Sequence, residues 1–399
     1  MSQAALSGIT VLDLGQIYNG PYATFLMAMA GARVIKVESL VGETLRGRGQ
    51  TSSAAYPFAM LNQNKESITV DLKKDKGKEL FRQLVAKADV VVENFSPDTM
   101  NNLGLSAASL LDINPRLVYA SGSGYGREGL HRDYLAMDIT VQAMSGVMST
   151  TGFEDMPPMK AGPAICDFFG GVHLYGAVVT KLLERERTGQ GGIIDMAMQD
   201  TVLPTLATIF GAYYFHGGKV QARTDNRHPA LTMAPYNVYE AADGHVAIIC
   251  VRDSHWRSLV KAMGREDLLA REDLAKMADR AARMPEVDAL VSDWTRTRPK
   301  LELLSAMQAE GVPSAAVRDV EEVMKDQHLH DRGMLRNFTH PVLGDIVIQD
   351  SPLNVAMGLP VAAKPAPDLG EQNLAVYSEL LGLSAEELSA LADEQVIGA

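Results

Sequence analysis

Two rhythms of apolar and polar positions run through this chain. Gly8-Ile-Thr-Val-Leu-Asp-Leu14 is a short β-rich run that stops at Gly15, which predicts a buried strand. A helical stretch follows over residues 21–30, with Pro21 suited to a first turn. Residues 32–38 predict a second strand, 67–72 a third, 89–93 a fourth and 117–121 a fifth, with a helix over 76–88. A strand–helix–strand alternation of this kind gives parallel strands joined by right-handed crossovers. The predicted class is therefore α/β, a doubly wound Rossmann-like sheet.

Beyond the fifth strand the pattern becomes helical. Val172, Tyr175, Val179, Leu182 and Leu183 share one side of a helix over 172–187, and Thr188-Gly189 supplies its stop. Residues 193–206 read as another long element. Residues 217–230, rich in Gly, Arg and Asn, read as a linker. Asp243-Gly244 between two β-like runs predicts a hairpin, followed by interrupted helices over 254–309. The tail carries a strand signal at Ile346-Val-Ile348, a Pro-rich extended stretch over 360–368 and a last helix from Ser384. A chain of 399 residues exceeds the ~250–300 that one core supports. The expected division is a large Rossmann-like domain begun by residues 1–200, a smaller α+β domain over 225–320, and a return to the large domain over 330–399.

Composition narrows the function classes. A formal charge of −12 argues against broad nucleic-acid binding. Cys166 and Cys250 are the only cysteines, so a disulfide framework is not expected and a reducing interior is. The first residues lack a basic-then-apolar signal, and no uncharged apolar run reaches the ~18 residues of a membrane span. These features predict a cytoplasmic protein with no membrane or nucleic-acid partner. Metal-ligand spacing of His, Cys and Glu is missing, so no metal is expected.

Several segments sit where chemistry is expected. The loop Gly15-Gln-Ile-Tyr-Asn-Gly-Pro21 leaves the first strand and opens a helix; it is either a plain turn or a ligand loop. Gly124-Tyr-Gly-Arg-Glu-Gly129 has dinucleotide-fingerprint letters, but no helix pattern opens behind it, so it reads as a glycine-rich turn. Val92-Glu-Asn-Phe95 leaves another strand end, where Asn94 and Phe95 either hold a flat ring or serve as cap and core. Arg46 and Arg48 are either phosphate ligands or solvated charge. Asp167, in Ala164-Ile-Cys-Asp-Phe-Phe-Gly-Gly171, stands at the entrance to a long helix, as an N-cap or as a nucleophile. Phe168 and Phe169 would limit water there, while Gly170 and Gly171 would let a substrate approach the backbone. Asp138 has the same two readings.

Together with Gly31-Ala-Arg-Val-Ile-Lys-Val-Glu38, Asn64-Lys-Glu-Ser-Ile-Thr-Val-Asp-Leu-Lys73, Glu184-Arg-Glu-Arg-Thr-Gly-Gln-Gly191, Glu310-Gly-Val-Pro313 and Leu369-Gly-Glu371, these segments resemble the family III CoA-transferases over nearly the whole chain. That superfamily includes the formyl-CoA and carnitine CoA-transferases and the α-methylacyl-CoA racemases. The resemblance implies an interlocked ring homodimer and an acyl-CoA:carboxylate CoA-transferase. Coenzyme A thioester is then substrate, a carboxylic acid is the acceptor, and no cofactor is permanently bound.

The resemblance makes Asp167 the nucleophile. It implies CoA contacts from Ile17, Tyr18 and Asn19, from Val70, Asp71, Leu72 and Lys73, and from Asn94, Phe95 and Ser96. Two arginines of the formyl-type enzyme are replaced here by Ser39 and Asn102, so Arg46 or Arg48 is expected to compensate. Tyr18, Met137, Asp138, Gly170 and Gly171 are expected around the acyl group. The racemase branch needs a His immediately before Asp138; Met137 stands there, and a thioether moves no proton. The alternatives are a racemase or epimerase, and a non-catalytic acyl-CoA-binding protein on the same fold.

Overall fold

The computed structural model describes residues 4–47, 55–358 and 361–398. Among them, β1 (Thr10–Asp13), β2 (Arg33–Glu38), β3 (Lys65–Thr69), β4 (Val90–Glu93), β5 (Val118–Ser123) and β6 (Gly192–Ala197) form one sheet. Its order is β3-β2-β1-β4-β5-β6, and every neighbouring pair is parallel. The order reverses between β1 and β4, the point where open parallel sheets leave a crevice at the carboxyl ends of their strands.

Side-chain alternation gives the sheet two apolar faces. The helices that concern the site are α1 (Asn19–Met29), α2 (Asp75–Val85), α3 (Ala107–Ile113), α4 (Asp138–Met144), α5 (Ile165–Thr188), α6 (Asn373–Leu381) and α7 (Ala385–Asp393). Leu12, Ile35 and Val91 pack on one side with Phe81 and Leu84 of α2, Leu110 of α3, Tyr377 of α6 and Leu388 of α7. Val11, Val34, Val90 and Val92 pack on the other with Met27 of α1 and Leu174 and Val178 of α5. Helices cover both faces, and the C-terminal segment supplies part of the first layer.

The chain divides into two compact units. One comprises Met1–Ser145, Gly162–Leu203 and Asp326–Ala399; the other comprises Gly146–Ala161 and Pro204–Lys325. The second unit has an antiparallel sheet of Tyr236–Ala241, Gly244–Ile249 and Ser314–Ala316. Its core gathers Val246, Ile248, Trp256, Leu259, Val287, Val291 and Leu303. In the first unit, Leu335–His340 and Gly344–Gln349 form a separate hairpin.

Three elements depart from the apolar pattern. β3 begins at Lys65 and not at Ser67, because Lys65 and Glu66 pair with Val34 and Ile35. The buried Lys65 ammonium is neutralised by Asp13, so a polar residue occupies a strand position that the pattern skips. Residues 193–206 divide into edge strand β6 and short helical turns, since pairing with β5 overrides the local helical signal. α5 starts at Ile165 and runs through Gly170-Gly171, because α1 packs against those two glycines.

Candidate active site

Buried polar side chains hold the loop after β1 almost residue by residue. Asp13 Oδ1 accepts the Gly15 N–H at 2.8 Å, and Lys36 Nζ donates to the Gly15 carbonyl at 2.9 Å. Asn94 accepts the Gln16 N–H at 2.7 Å and donates to the Gln16 carbonyl at 2.9 Å. Ile17 lies at φ +63°, in the left-handed region that few non-glycine residues occupy. Beneath the loop, Lys65 Nζ donates to Asp13 Oδ2 at 2.8 Å, to Thr24 Oγ1 at 2.8 Å, to Asn62 Oδ1 at 3.0 Å and to the Pro21 carbonyl at 3.2 Å. Burial alone would raise the Asp13 carboxyl; Lys65 and Lys36 more than offset it and hold the group below the usual carboxylate range. Strain at Ile17 persists because its neighbours are pinned on both sides.

This loop separates two cavities at the reversal point. The larger, about 400 Å³, is lined by Gln16, Ile17 and Asn19, by Asn94–Ser96, by Gly122–Tyr125 at and just beyond the end of β5, and by Arg132, Met137, Asp167 and Met198. The smaller, about 210 Å³, is lined by Glu38, Ser39, Glu43 and Val70–Lys73 at the ends of β2 and β3. Gln16 and half-buried Phe95 line both, so the cavities adjoin.

Asp167 opens onto the larger cavity. It lies in the first turn of α5, only 9% exposed. Its neighbour is Asp138, whose Oδ1 accepts the backbone N–H of Cys166 at 2.8 Å and of Asp167 at 3.3 Å, while Oδ2 accepts from Gln142 at 2.6 Å. A helix N-terminus ordinarily favours an ionised carboxylate. Here the first amides are given to Asp138. Burial first, and the Asp138 charge second, push the Asp167 carboxyl up to about 7.

A second unusual group lines the same cavity. Asn19 is 2% exposed, and among the described residues neither Oδ1 nor Nδ2 of its amide has a hydrogen-bond partner. Leaving such a group unpaired costs about 1–3 kcal/mol. The amide fits between two glycines: a Cβ on Gly122 would stand 2.6 Å from Oδ1, and one on Gly170 would stand 2.4 Å from Nδ2.

Most positions expected to meet CoA border the cavities: Ile17, Asn19, Asn94, Phe95 and Ser96 line the larger, and Val70, Asp71, Leu72 and Lys73 the smaller. Met137 is also at the larger cavity, 53% exposed. Other expectations are corrected. Tyr18 does not line the cavity; its ring stacks on Phe168 at 5.8 Å, because it belongs to the apolar cluster of Leu45 and Phe58. Phe168 also packs on α1, its ring 4.7 Å from that of Tyr22. Gly170 and Gly171 meet Asn19 and Tyr22, so their missing side chains admit α1.

Asp138 is not among the residues lining the larger cavity; it caps α5, the alternative role that the sequence left open for Asp167. Arg46 is held away by Glu38 at 2.9 Å, the Pro367 carbonyl at 3.0 Å and the Phe58 ring at 4.2 Å. Arg48 lies outside the described residues. The Asn94 amide is spent on the Gln16 backbone and holds no ring. Gly122, Tyr125, Arg132 and Met198 were not anticipated; the position of Gly122 near the carboxyl end of a parallel strand was the available signal for the first of them.

Among the described residues no group of three or more His, Cys, Asp and Glu side chains is arranged to hold a metal. No helix there is long and apolar enough to cross a membrane.

Comparison with known proteins places this geometry in context. The model for CoA-transferase family III matches residues 6–373. The formyl-CoA:oxalate CoA-transferase of Streptomyces avermitilis is 34% identical over 408 residues, covering 98% of this chain and 99% of that one. The succinyl-CoA:mesaconate CoA-transferase of Haloarcula hispanica is 36% identical over 387 residues, covering 94% and 96%. The crystal structure of a CAIB/BAIF family protein from Brucella suis superposes with a TM-score of 0.81 at 32% identity, covering 95% of this chain and 100% of that one.

Proposed function

The chain belongs to CoA-transferase family III, and from that premise we propose that it moves CoA from an acyl-CoA donor to a free carboxylic acid by way of Asp167. The observation that carries this reading is a nearly buried carboxylate, without a side-chain hydrogen-bond partner among the described residues, opening onto a cavity at the crevice of a parallel sheet. A carboxyl near 7 is sufficiently ionised to attack at neutral pH, and it is less stabilised by hydrogen bonds than a capping acid would be.

The exchange is a double displacement. An Asp167 oxygen adds to the donor thioester carbonyl, and the tetrahedral adduct collapses by breaking C–S. The products are a mixed anhydride and CoA thiolate. The thiolate adds to the aspartyl carbonyl of the anhydride and expels the donor acid as its carboxylate, leaving an aspartyl-CoA thioester. The acceptor carboxylate attacks that thioester, CoA leaves again as thiolate, and a second anhydride forms. Thiolate attack on the acceptor carbonyl releases the new acyl-CoA and restores Asp167. Each bond made is matched by one broken, so CoA is the group carried and no redox partner is needed.

In this reading the smaller cavity takes the nucleotide end of CoA and the larger takes the thioester. Lys73 is a phosphate partner in place of Arg46. The two CoA-transferase relatives carry oxalate and mesaconate in their names, both dicarboxylates, which supports a small dicarboxylic acid on one side of the exchange. The protein acts as an interlocked homodimer in the cytoplasm; exposed Tyr214 and Phe215, 82% and 85% accessible in the single chain, support a partner. Met137 at the cavity carries no transferable proton, which favours transfer over racemisation.

The test is incubation with succinyl-CoA and a panel of free acids, with new thioesters read by mass spectrometry. A product requiring both donor and acid, and lost in Asp167→Ala, supports the proposal. No new thioester, with solvent deuterium entering the α-carbon of a 2-methylacyl-CoA, would replace it by the racemase.

A further inference from the structure

We propose that the side-chain amide of Asn19 is a catalytic hydrogen-bond donor to the carbonyl oxygen of the acyl group undergoing transfer. The inference rests on the reading of Asp167 as nucleophile. Buried polar side chains are nearly always paired within the protein. Asn19 is 2% exposed with both amide atoms unpaired among the described residues, although it lines a cavity of about 400 Å³.

Its surroundings connect it to the reacting carboxylate. Asp167 and Gly170 lie one turn apart on the same side of α5. Nδ2 of Asn19 occupies the space above Gly170, where a Cβ would be 2.4 Å away, and Met198 closes the same spot at 3.0 Å. Oδ1 occupies the space above Gly122, at 2.6 Å from a Cβ there. Asn19, Gly122, Met198 and Asp167 all line the one cavity. Two glycines on different elements thus make room for an amide whose hydrogen-bonding capacity is unused among the described residues.

The transfer chemistry needs such a donor. When the Asp167 oxygen adds to a thioester carbon, the carbonyl π pair moves onto oxygen and the charge must be stabilised there. When C–S breaks, the pair returns to form the new carbonyl and CoA leaves as thiolate. An N–H aimed at that oxygen stabilises the charged stage more than the neutral ones. An amide also keeps its protonation state beside the negative charges of Asp138 and Asp167. The competing account is an ordered water that satisfies both amide atoms and makes Asn19 a structural filler.

Asn19→Leu separates the two, because it keeps the number and branching of the heavy atoms and removes the unpaired polar atoms. The proposal expects an unchanged or higher melting temperature, an acyl-CoA KM within a few-fold, and a kcat lower by on the order of 10²-fold. A lower melting temperature with wild-type kcat supports the filler and overturns the proposal. If Asn19→Leu does not fold, Asn19→Ala is read by the same kcat criterion. Intact mass of the wild-type protein with acyl-CoA keeps the two levels apart. A CoA adduct on Asp167 together with wild-type turnover in Asn19→Ala overturns the role of Asn19 alone. No adduct, with activity surviving in Asp167→Ala, overturns the nucleophile and this inference with it.

Discussion

The Asp138 carboxylate accepts the backbone N–H of Asp167 at 3.3 Å and that of Cys166 at 2.8 Å, so one acid caps the helix on which the other stands. Through the chain Asp138 fixes the start of α5. Through space its charge adds to burial in raising the Asp167 carboxyl to about 7.

The pH dependence of transfer should show this pairing. Attack requires ionised Asp167, so kcat/KM is expected to rise with pH through an apparent pKa near 7. Asp138→Asn keeps an acceptor for the α5 amides and removes the like charge, so the acid limb should move to lower pH. A limb that stays in place would mean that burial alone sets the value.

Stability should depend on pH through the same carboxyl. A folded value raised from 3.8 to about 7 contributes stability that is full below the unfolded value and lost as pH rises through about 7. Asp167→Asn carries no charge at any pH. It should therefore gain on the wild type between about pH 4 and 7 by on the order of a few kcal/mol, and hold that gain above. Denaturant unfolding of both proteins across this range gives the difference; a constant difference would contradict the raised value.

Contact between α1 and α5 depends on having no side chain at position 170. Gly170→Ala would place a Cβ 2.4 Å from Asn19 Nδ2 and 3.0 Å from Met198 Cγ. The expected cost is about 1–3 kcal/mol, read as a lower denaturation midpoint. Gly176→Ala, on the same helix with open space around it, is the control and should not destabilise.

Much of this fold was legible because apolar runs of the right length alternated with helical ones. β1, β2, β4 and β5 each announce themselves by Val and Ile between turn residues. β3 was read two residues late because Lys65 looks like surface until Asp13, distant in sequence, neutralises it. β6 was hidden because the edge strand Gly192-Ile-Ile-Asp-Met-Ala197 shows no clean alternation and is decided by its pairing with β5. At the site, position at a strand or helix end was legible for Asp167, Ile17 and Asn94. Direction was not: the ring of Tyr18 turns to Phe168, Arg46 turns to Glu38, and Asp138 caps a helix that begins far along the chain.

The Asp13–Lys65 pair is expected to be a stability determinant of the loop. Both side chains are wholly buried at 2.8 Å. Lys65→Met leaves the Asp13 carboxylate without its partner and should cost about 3–5 kcal/mol. Asp13→Asn with Lys65→Met, which removes both charges, should recover part of that loss. Equal loss in the single and double variants would show that the charges do not depend on each other.

The central claim is that Asp167 carries CoA covalently. Its most direct measurement is peptide mapping by mass spectrometry after acyl-CoA is mixed with the protein and quenched in acid. The account predicts a CoA thioester on the peptide containing Asp167, discharged by adding acceptor acid and missing from Asp167→Ala. Transfer at full rate with no modified peptide at any quench time, or a modification at another carboxylate that survives in Asp167→Ala, would contradict it.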